Sequence, residues 1–113
     1  MKKYLSYLKH ILIEINFIIN NSENLKYEQF IDDEILKRAF VRSIEIIGEA
    51  VKNLPDSIKS KSVDIEWKEI AGMRDRLIHN YFAIDFEIVW DVVQNEIPTL
   101  KEKIEKIINY TKE

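Results

Sequence analysis

The 113-residue sequence contains no cysteine and only two glycines and two prolines. The absence of cysteine excludes a disulfide framework, a cysteine-ligated zinc site and an iron–sulfur cluster, and nothing indicates an oxidising compartment. The few glycines and prolines leave little turn chemistry, which excludes a β-sandwich or a barrel with a turn about every ten residues. We therefore expect an all-α protein that folds as one domain over residues 1–113.

Long apolar runs and excess positive charge are also missing. No apolar segment approaches the roughly 18 residues of a membrane-spanning helix. The apolar stretch after the basic first three residues is interrupted by Lys9, His10 and Glu14, which argues against a signal peptide. We expect a cytoplasmic protein with no membrane contact. Seventeen Lys and Arg against 20 Asp and Glu give a formal net charge of −3, which disfavours indiscriminate nucleic-acid binding but is compatible with a small basic cleft.

Apolar residues recur at three- and four-residue steps in four segments, as in amphipathic helices. The first predicted helix runs from Tyr4 to about residue 21, and the second follows the candidate caps Asp32 and Asp33 and ends before Pro55. The third follows Asp64 and ends near residue 81, and the fourth follows Asp85, with a kink or restart at Pro98. Residues 22–33, with one helical turn, and 53–63 are predicted loops. Four helices with short connections predict an antiparallel bundle.

The second predicted helix has two further features. Arg38, Arg42, Glu45 and Glu49 follow one flank, where a solvated line of intrahelical ion pairs is the simplest interpretation. Glycine within a helix costs about 1 kcal/mol relative to alanine. Gly48 therefore indicates a close approach of another helix.

Arg74 interrupts the apolar stripe of the third predicted helix. An isolated buried charge is costly, so an arginine here has to be paired or has to face a cleft or a second subunit. Glu45 and Glu49 of the second helix are both candidate partners. The sequence does not choose between these possibilities.

The segment from Met73 to Phe82 is the densest cluster of reactive side chains in the chain. On an ideal helix Arg74 and Tyr81 point nearly the same way, and Asp75 and His79 lie on one flank. Arg74 and His79 would diverge by about 140°, so that their co-operation requires the reach of the arginine, a distorted helix end or a second subunit. A histidine near a helix C-terminus is more commonly a partner of the helix dipole than a catalyst.

These side chains are compatible with RNA cleavage without a metal. His79 would move protons between the ribose 2′-OH, the scissile phosphate and the leaving oxygen. Arg74 would hold the phosphate and stabilise its developing charge. Asp75 could orient the imidazole, Arg76 could contact the RNA backbone, and Tyr81 could hydrogen-bond the phosphate or stack on a base. No cluster of His and carboxylates has metal-ligand spacing, so we expect neither a metal nor another cofactor.

Four separated segments, in order, resemble the HepT toxins of the HEPN superfamily. They are residues 42–50 (RSIEIIGEA), 65–67 (IEW), 72–75 (GMRD) together with 77–82 (LIHNYF), and 88–90 (IVW), the last ahead of Ile97 and Pro98. Arg74, His79 and Tyr81 match the R-x4-H-x-Y motif of that family position by position. The resemblance covers nearly the whole chain from Phe30 onward.

The resemblance implies a homodimeric up-and-down bundle of four to five helices in which the motifs of both subunits line one cleft. It implies a metal-independent RNase that acts as the toxin of a toxin–antitoxin pair, with Arg74 and His79 catalytic and Asp75, Arg76 and Asn80 supporting or binding RNA. The implied partner is MntA, a minimal nucleotidyltransferase that silences the toxin by transferring AMP from ATP to the motif tyrosine. In this sequence that tyrosine is Tyr81.

Two other functions are weighed against this one. A catalytically silent HEPN dimer would bind a nucleotidyltransferase or a nucleotide and cleave nothing. Both the acidic net charge and the 140° divergence of Arg74 and His79 favour it. The intact motif favours the RNase. A purely structural bundle leaves Arg74 on the apolar stripe unexplained, and it ranks last.

Overall fold

The computed structural model describes residues 3–62, 64–80 and 83–112, with the side chains of all these residues except Lys3, His79, Asn80, Thr111 and Lys112. The described chain is mainly helical. In order, its elements are α1 (Lys3–Ser22), α2 (Tyr27–Asp32), α3 (Glu34–Lys52), α4 (Asp56–Lys59), α5 (Trp67–Ala71), α6 (Met73–Leu77), β1 (Ile78–Asn80), β2 (Ala83–Ile84), α7 (Phe86–Asp91), a π-helical segment (Val92–Glu96) and α8 (Ile97–Lys112). None of the helices described is both long enough and apolar enough to cross a membrane.

The core lies between the three longest helices. Helix α1 packs against both α3 and α8, and α3 also packs against α5 and α6. Aliphatic side chains at helical spacing fill this core, among them Leu8, Ile11, Ile15, Ile18, Ile44, Ile47, Val51, Ile97 and Ile104. Burying such side chains is the main favourable term in folding, so the periodic stripes in the sequence determine which helix faces meet.

An aromatic cluster connects the short helices to this core. Phe30 of α2 is fully buried, and its ring centroid lies 5.8 Å from that of Phe40 in α3 and 5.2 Å from that of Trp90 in α7. Large rings bury much apolar surface and add specific ring contacts. The cluster therefore fixes α2 and α7 against the N-terminal half of α3.

The first two predicted helices and two of the predicted caps are confirmed. Asp33 Oδ1 accepts a hydrogen bond from the Leu36 N–H (2.9 Å) at the start of α3. Asp85 Oδ1 accepts from the N–H groups of Glu87 (3.1 Å) and Ile88 (3.2 Å) at the start of α7. The helical turn expected in residues 22–33 is α2, whereas the loop predicted for 53–63 contains the short helix α4.

The prediction of one third helix from Asp64 to residue 81 is wrong. Glu66, not Asp64, stands at the N-cap of α5, and Asp64 instead lies 3.6 Å from Lys103 Nζ. The helix is interrupted at Gly72 and ends at Leu77, because the backbone at Ile78 is extended (φ −117°, ψ 103°). Strands β1 and β2 then pair antiparallel, with Ile78 opposite Ile84, and the Asp85 N–H donates to the Leu77 carbonyl at 2.7 Å.

The fourth predicted helix is irregular just ahead of Pro98. The N–H of Ile97 bonds to the carbonyl of Val92 in a π-helical turn before α8 begins. Proline has no N–H to donate to the carbonyl four residues earlier, so the hydrogen-bond ladder has to be rearranged at this point. The predicted irregularity at Pro98 is confirmed.

Candidate active site around Arg74

An ion pair between two helices fixes the guanidinium of Arg74. Arg74 Nε, on α6, donates a hydrogen bond to Glu45 Oε2, on α3, at 2.9 Å. Arg74 Nη1 also lies 3.6 Å from Asp75 Oδ1. Glu49, the other candidate partner, instead lies near Lys52, with Oε1 and Nζ 3.7 Å apart. The structure thus selects Glu45, which the sequence left open together with Glu49.

The environment of Arg74 differs from the prediction of a charge on a buried stripe. Its side chain is 48% exposed and that of Glu45 is 27% exposed. The interruption of the helix at Gly72 changes the direction of the side chains beyond it, so that Met73 and Leu77 are buried while Arg74 faces outward. The hydrogen bond to Glu45 raises the pKa of Arg74 above its ordinary value, so the guanidinium stays fully charged.

The close approach that Gly48 predicts is present. A Cβ atom added at Gly48 would lie 3.2 Å from the carbonyl oxygen of Ala71 and 3.5 Å from that of Ile70. The C-terminal end of α5 therefore rests directly on α3, one helical turn from Glu45. Because α6 follows α5 after the single residue Gly72, this contact places Arg74 within reach of Glu45.

An open cavity of about 170 Å³ lies beside the ion pair, and its lining includes Glu45, Gly48, Ala71, Arg74 and Asp75. The side chain of Asp75 is 82% exposed. The cavity therefore has a charged rim that solvent reaches. A fixed cation next to open space is suited to binding an anionic group such as a phosphate.

Arg76, which the sequence interpretation assigns to RNA contact, has a partner within the chain. Its Nη1 and Nη2 atoms donate to Glu96 Oε1 and Oε2 at 3.2 and 3.0 Å. This bidentate ion pair connects α6 to the π-helical segment. The sequence does not predict it. No sequence signal pointed to Glu96, because the two residues lie 20 positions apart and the π-helical turn shifts the register of its helix.

His79 and Asn80 lie in strand β1, directly after α6, and their side chains are outside the described part of the structure. Tyr81, with its predicted roles, is outside the described residues altogether. Because α6 ends at Leu77, the 140° divergence of Arg74 and His79 on an ideal helix does not apply. The expectation that Asp75 and His79 lie on one flank of a helix is wrong for the same reason.

A larger cavity of about 290 Å³ lies between α5 and the start of α8, where Glu66, Glu69 and Glu96 contribute to its lining. The hydrogen bond with Glu66, and the like charge of that residue, raise the pKa of Glu69. Arg74, Asp75 and Arg76, the predicted site residues whose side chains the structure describes, do not line this cavity. Among the described residues, no group of three or more His, Asp or Glu side chains could hold a metal ion.

A mainly helical chain with an R-x4-H-x-Y motif, whose arginine lies exposed beside an open cavity, has the features of the HEPN superfamily. A comparison with protein families matches residues 1–107 to the family described as Ribonuclease HepT-like. The chain belongs to this family, as the resemblance in the sequence predicted. The predicted enzyme class, a ribonuclease, is the class of the family.

Several curated proteins are similar to this chain over most of both lengths. One from Caldanaerobacter subterraneus subsp. tengcongensis, named "Putative RNase", is 48% identical over 112 residues, covering 99% of this chain and 100% of the relative. Another of that name, from Methanocaldococcus jannaschii, is 48% identical over 91% of this chain and 85% of the relative. A "Probable ribonuclease HepT" from Thermococcus cleftensis is 40% identical over 94% of this chain and 96% of the relative. No solved structure matches the chain.

The two glycines of the chain allow a test of the contact between α3 and α5. Alanine at Gly48 has to displace the backbone of Ala71, and such overpacking costs about 1–3 kcal/mol, more than the roughly 1 kcal/mol that alanine gains in a helix. We expect Gly48→Ala to lower the free energy of unfolding by about 1 kcal/mol and Tm by roughly 5 °C, measured by thermal and urea unfolding.

Gly72→Ala is the matched control. A Cβ at Gly72 would meet the carbonyl oxygens of Lys68 at 3.4 Å and of Glu69 at 3.8 Å, both of them ordinary contacts with the preceding helical turn. Its stability should stay within about 0.5 kcal/mol of the wild type. A Gly48→Ala variant as stable as Gly72→Ala would show that the two helices do not need this approach.

Proposed function

We propose that this chain is a metal-independent endoribonuclease in which Arg74 and His79 are catalytic. The observation that carries the proposal is the guanidinium of Arg74, held at Nε by Glu45 and half exposed beside an open cavity. Membership in a ribonuclease family supports RNA as the substrate. The end of α6 at Leu77 removes the geometric objection that favoured a silent protein.

In this mechanism His79 transfers protons, and Arg74 stabilises negative charge on the phosphate. The imidazole of His79 accepts the proton of the ribose 2′-OH as the 2′ oxygen attacks phosphorus. The imidazolium then donates this proton to the leaving 5′ oxygen as the P–O5′ bond breaks, which leaves a 2′,3′-cyclic phosphate. Imidazole is suited to both transfers because its pKa lies near neutrality. Arg74 binds the non-bridging oxygens and stabilises the negative charge that builds on them.

The supporting roles follow the family motif. Asp75, whose Oδ1 lies 3.6 Å from Nη1 of Arg74, supports the site from its exposed rim, and Asn80 and Tyr81 contact RNA. Arg76 reaches the RNA backbone only if it leaves Glu96. Its first role is therefore to hold α6 against the π-helical segment.

The chain also acts as the toxin of a toxin–antitoxin pair. Its partner is a nucleotidyltransferase resembling MntA, which silences the RNase by transferring AMP to Tyr81. The R-x4-H-x-Y motif supports this proposal, because its tyrosine follows the catalytic histidine by two residues. A bulky phosphodiester carrying a negative charge near Arg74 would compete with RNA for the same cation.

The functional unit is a homodimer of up-and-down bundles of four to five helices, with the motifs of both subunits at one cleft. Arg74 does not require a second subunit as its partner, because Glu45 pairs with it within one chain. The support is now the likeness to the HepT toxins. The alternative function, a silent HEPN dimer that binds a nucleotidyltransferase, predicts the same assembly without cleavage.

Removal of either catalytic side chain should abolish cleavage without unfolding the protein. We expect His79→Ala and Arg74→Ala to lose at least about a hundredfold in cleavage rate on a labelled RNA, with unchanged helical circular dichroism. His10→Ala and Arg38→Ala, which alter exposed residues elsewhere, should cleave RNA at the wild-type rate.

A metal chelator should not change the rate of RNA cleavage by the wild type. A wild-type chain that cleaves no RNA would favour the silent dimer, and activity restored by a divalent ion would overturn the metal-free mechanism.

The assembly can be measured directly. We expect sedimentation or light scattering at micromolar concentration to give about twice the 13.5 kDa chain mass, because two-fold homodimers are the commonest closed assemblies and the cleft needs both motifs. A clean monomer that still cleaves RNA would exclude the shared cleft.

Modification of Tyr81 gives a separate test of the partner. Incubation with ATP and a cognate MntA-like nucleotidyltransferase should add one or more AMP units to the chain, and Tyr81→Phe should prevent this. Tyr110→Phe is the control, since Tyr110 is 70% exposed and offers an accessible phenol outside the motif. AMP mapped by mass spectrometry to Tyr4, Tyr7, Tyr27 or Tyr110 would refute the assignment.

A further inference from the structure

The hydrogen bond between Arg74 and Glu45 uses one defined edge of the guanidinium. An arginine carries five N–H donors in a rigid planar fork. Glu45 occupies Nε at 2.9 Å, whereas Asp75 lies 3.6 Å from Nη1, which is longer than a hydrogen bond. Among the side chains that the structure describes, none hydrogen-bonds the two Nη atoms of Arg74, so this edge is the one that we assign to an incoming anion.

Glu45 is held more firmly than Asp75. Its side chain is 27% exposed, against 82% for Asp75, and it projects from the long helix α3 next to the contact between Gly48 and Ala71. Asp75 projects from a helix of five residues. A carboxylate on the long helix can set the direction of the guanidinium, whereas Asp75 makes no hydrogen bond that would hold Arg74.

We propose that Glu45 is a positioning residue for RNA cleavage, since it holds Nε of Arg74 so that the Nη edge faces the scissile phosphate. This inference rests on the proposed ribonuclease function. Glu45 has two opposing effects: its hydrogen bond orients the guanidinium, and its negative charge weakens the attraction of Arg74 for phosphate. Loss of orientation should lower kcat, and loss of the charge should lower KM.

Two substitutions at position 45 separate these effects. Glu45→Ala removes both, and we expect kcat to fall by about 10- to 100-fold with no rise in KM. Glu45→Gln keeps an oxygen that accepts from Nε but loses the charge. We expect this variant to restore kcat close to the wild-type value and to have a lower KM.

Glu34 provides the control for charge on the same helix. Its Oε2 lies 2.8 Å from Lys37 Nζ and it does not line the cavity beside Arg74, so Glu34→Ala and Glu34→Gln should leave kcat unchanged. A merely structural role for Glu45 predicts that kcat falls with the folded fraction. It also predicts that Gln does not rescue the kcat lost in the alanine variant.

The geometry has a readout that does not require turnover. In a nitrogen–proton correlation spectrum, the Nε–H signal of Arg74, assigned by its absence in Arg74→Lys, should exchange slowly with solvent in the wild type and in Glu45→Gln. It should exchange fast in Glu45→Ala. Titration with inorganic phosphate should shift the Nη signals of Arg74 and leave Nε nearly unchanged.

The outcomes distinguish a failure of the proposed role of Glu45 from a failure of the proposed ribonuclease function. A wild-type chain that cleaves RNA, with Glu45→Ala at full kcat, overturns the role of Glu45 and leaves the ribonuclease intact. Phosphate that shifts Nε as strongly as Nη overturns the proposed edge. A wild-type chain that cleaves no RNA overturns the ribonuclease, and the role of Glu45 in cleavage with it.

Discussion

The contact between α3 and the C-terminal end of α5 determines the geometry of the candidate site. At Gly48 the backbones approach so closely that an added Cβ would lie 3.2 Å from the Ala71 carbonyl. Only the residue without a side chain permits this distance without displacing one helix. Since Gly72 alone separates α5 from α6, the same contact fixes where α6 begins. Arg74 thereby meets Glu45, 29 residues away in the sequence.

A second constraint is the change from helix to strand after Leu77. The extended backbone at Ile78, the pairing of β1 with β2 and the Asp85 N–H bonded to the Leu77 carbonyl all stop the helix there. The motif R-x4-H-x-Y therefore starts on a helix and continues into a strand. Its histidine lies in strand β1, so the divergence that Arg74 and His79 would have on one helix does not apply.

The long helices could be predicted because their stabilisation is periodic. The stripes of α1 and α3 repeat every three or four residues, and the caps Asp33 and Asp85 carry side chains that accept hydrogen bonds from the first helical N–H groups. The segment from Trp67 to Ile84 could not be predicted in the same way. Its apolar residues also fit helical spacing, and a continuous helix is prevented by the pairing of β1 with Ala83–Ile84, which the periodicity does not reveal.

By itself, the sequence determined a mainly helical chain, the family to which it belongs, the motif residues and the need for a close contact at Gly48, because all of these follow from local order along the chain. The tertiary structure alone decided that Arg74 is half exposed, that its partner is Glu45 and not Glu49, and that Arg76 pairs with Glu96. Glu45 and Glu49 lie one turn apart on the same helix, so local order cannot distinguish them. Only the position of α6 against α3 brings one carboxylate, and not the other, within hydrogen-bond distance of the guanidinium.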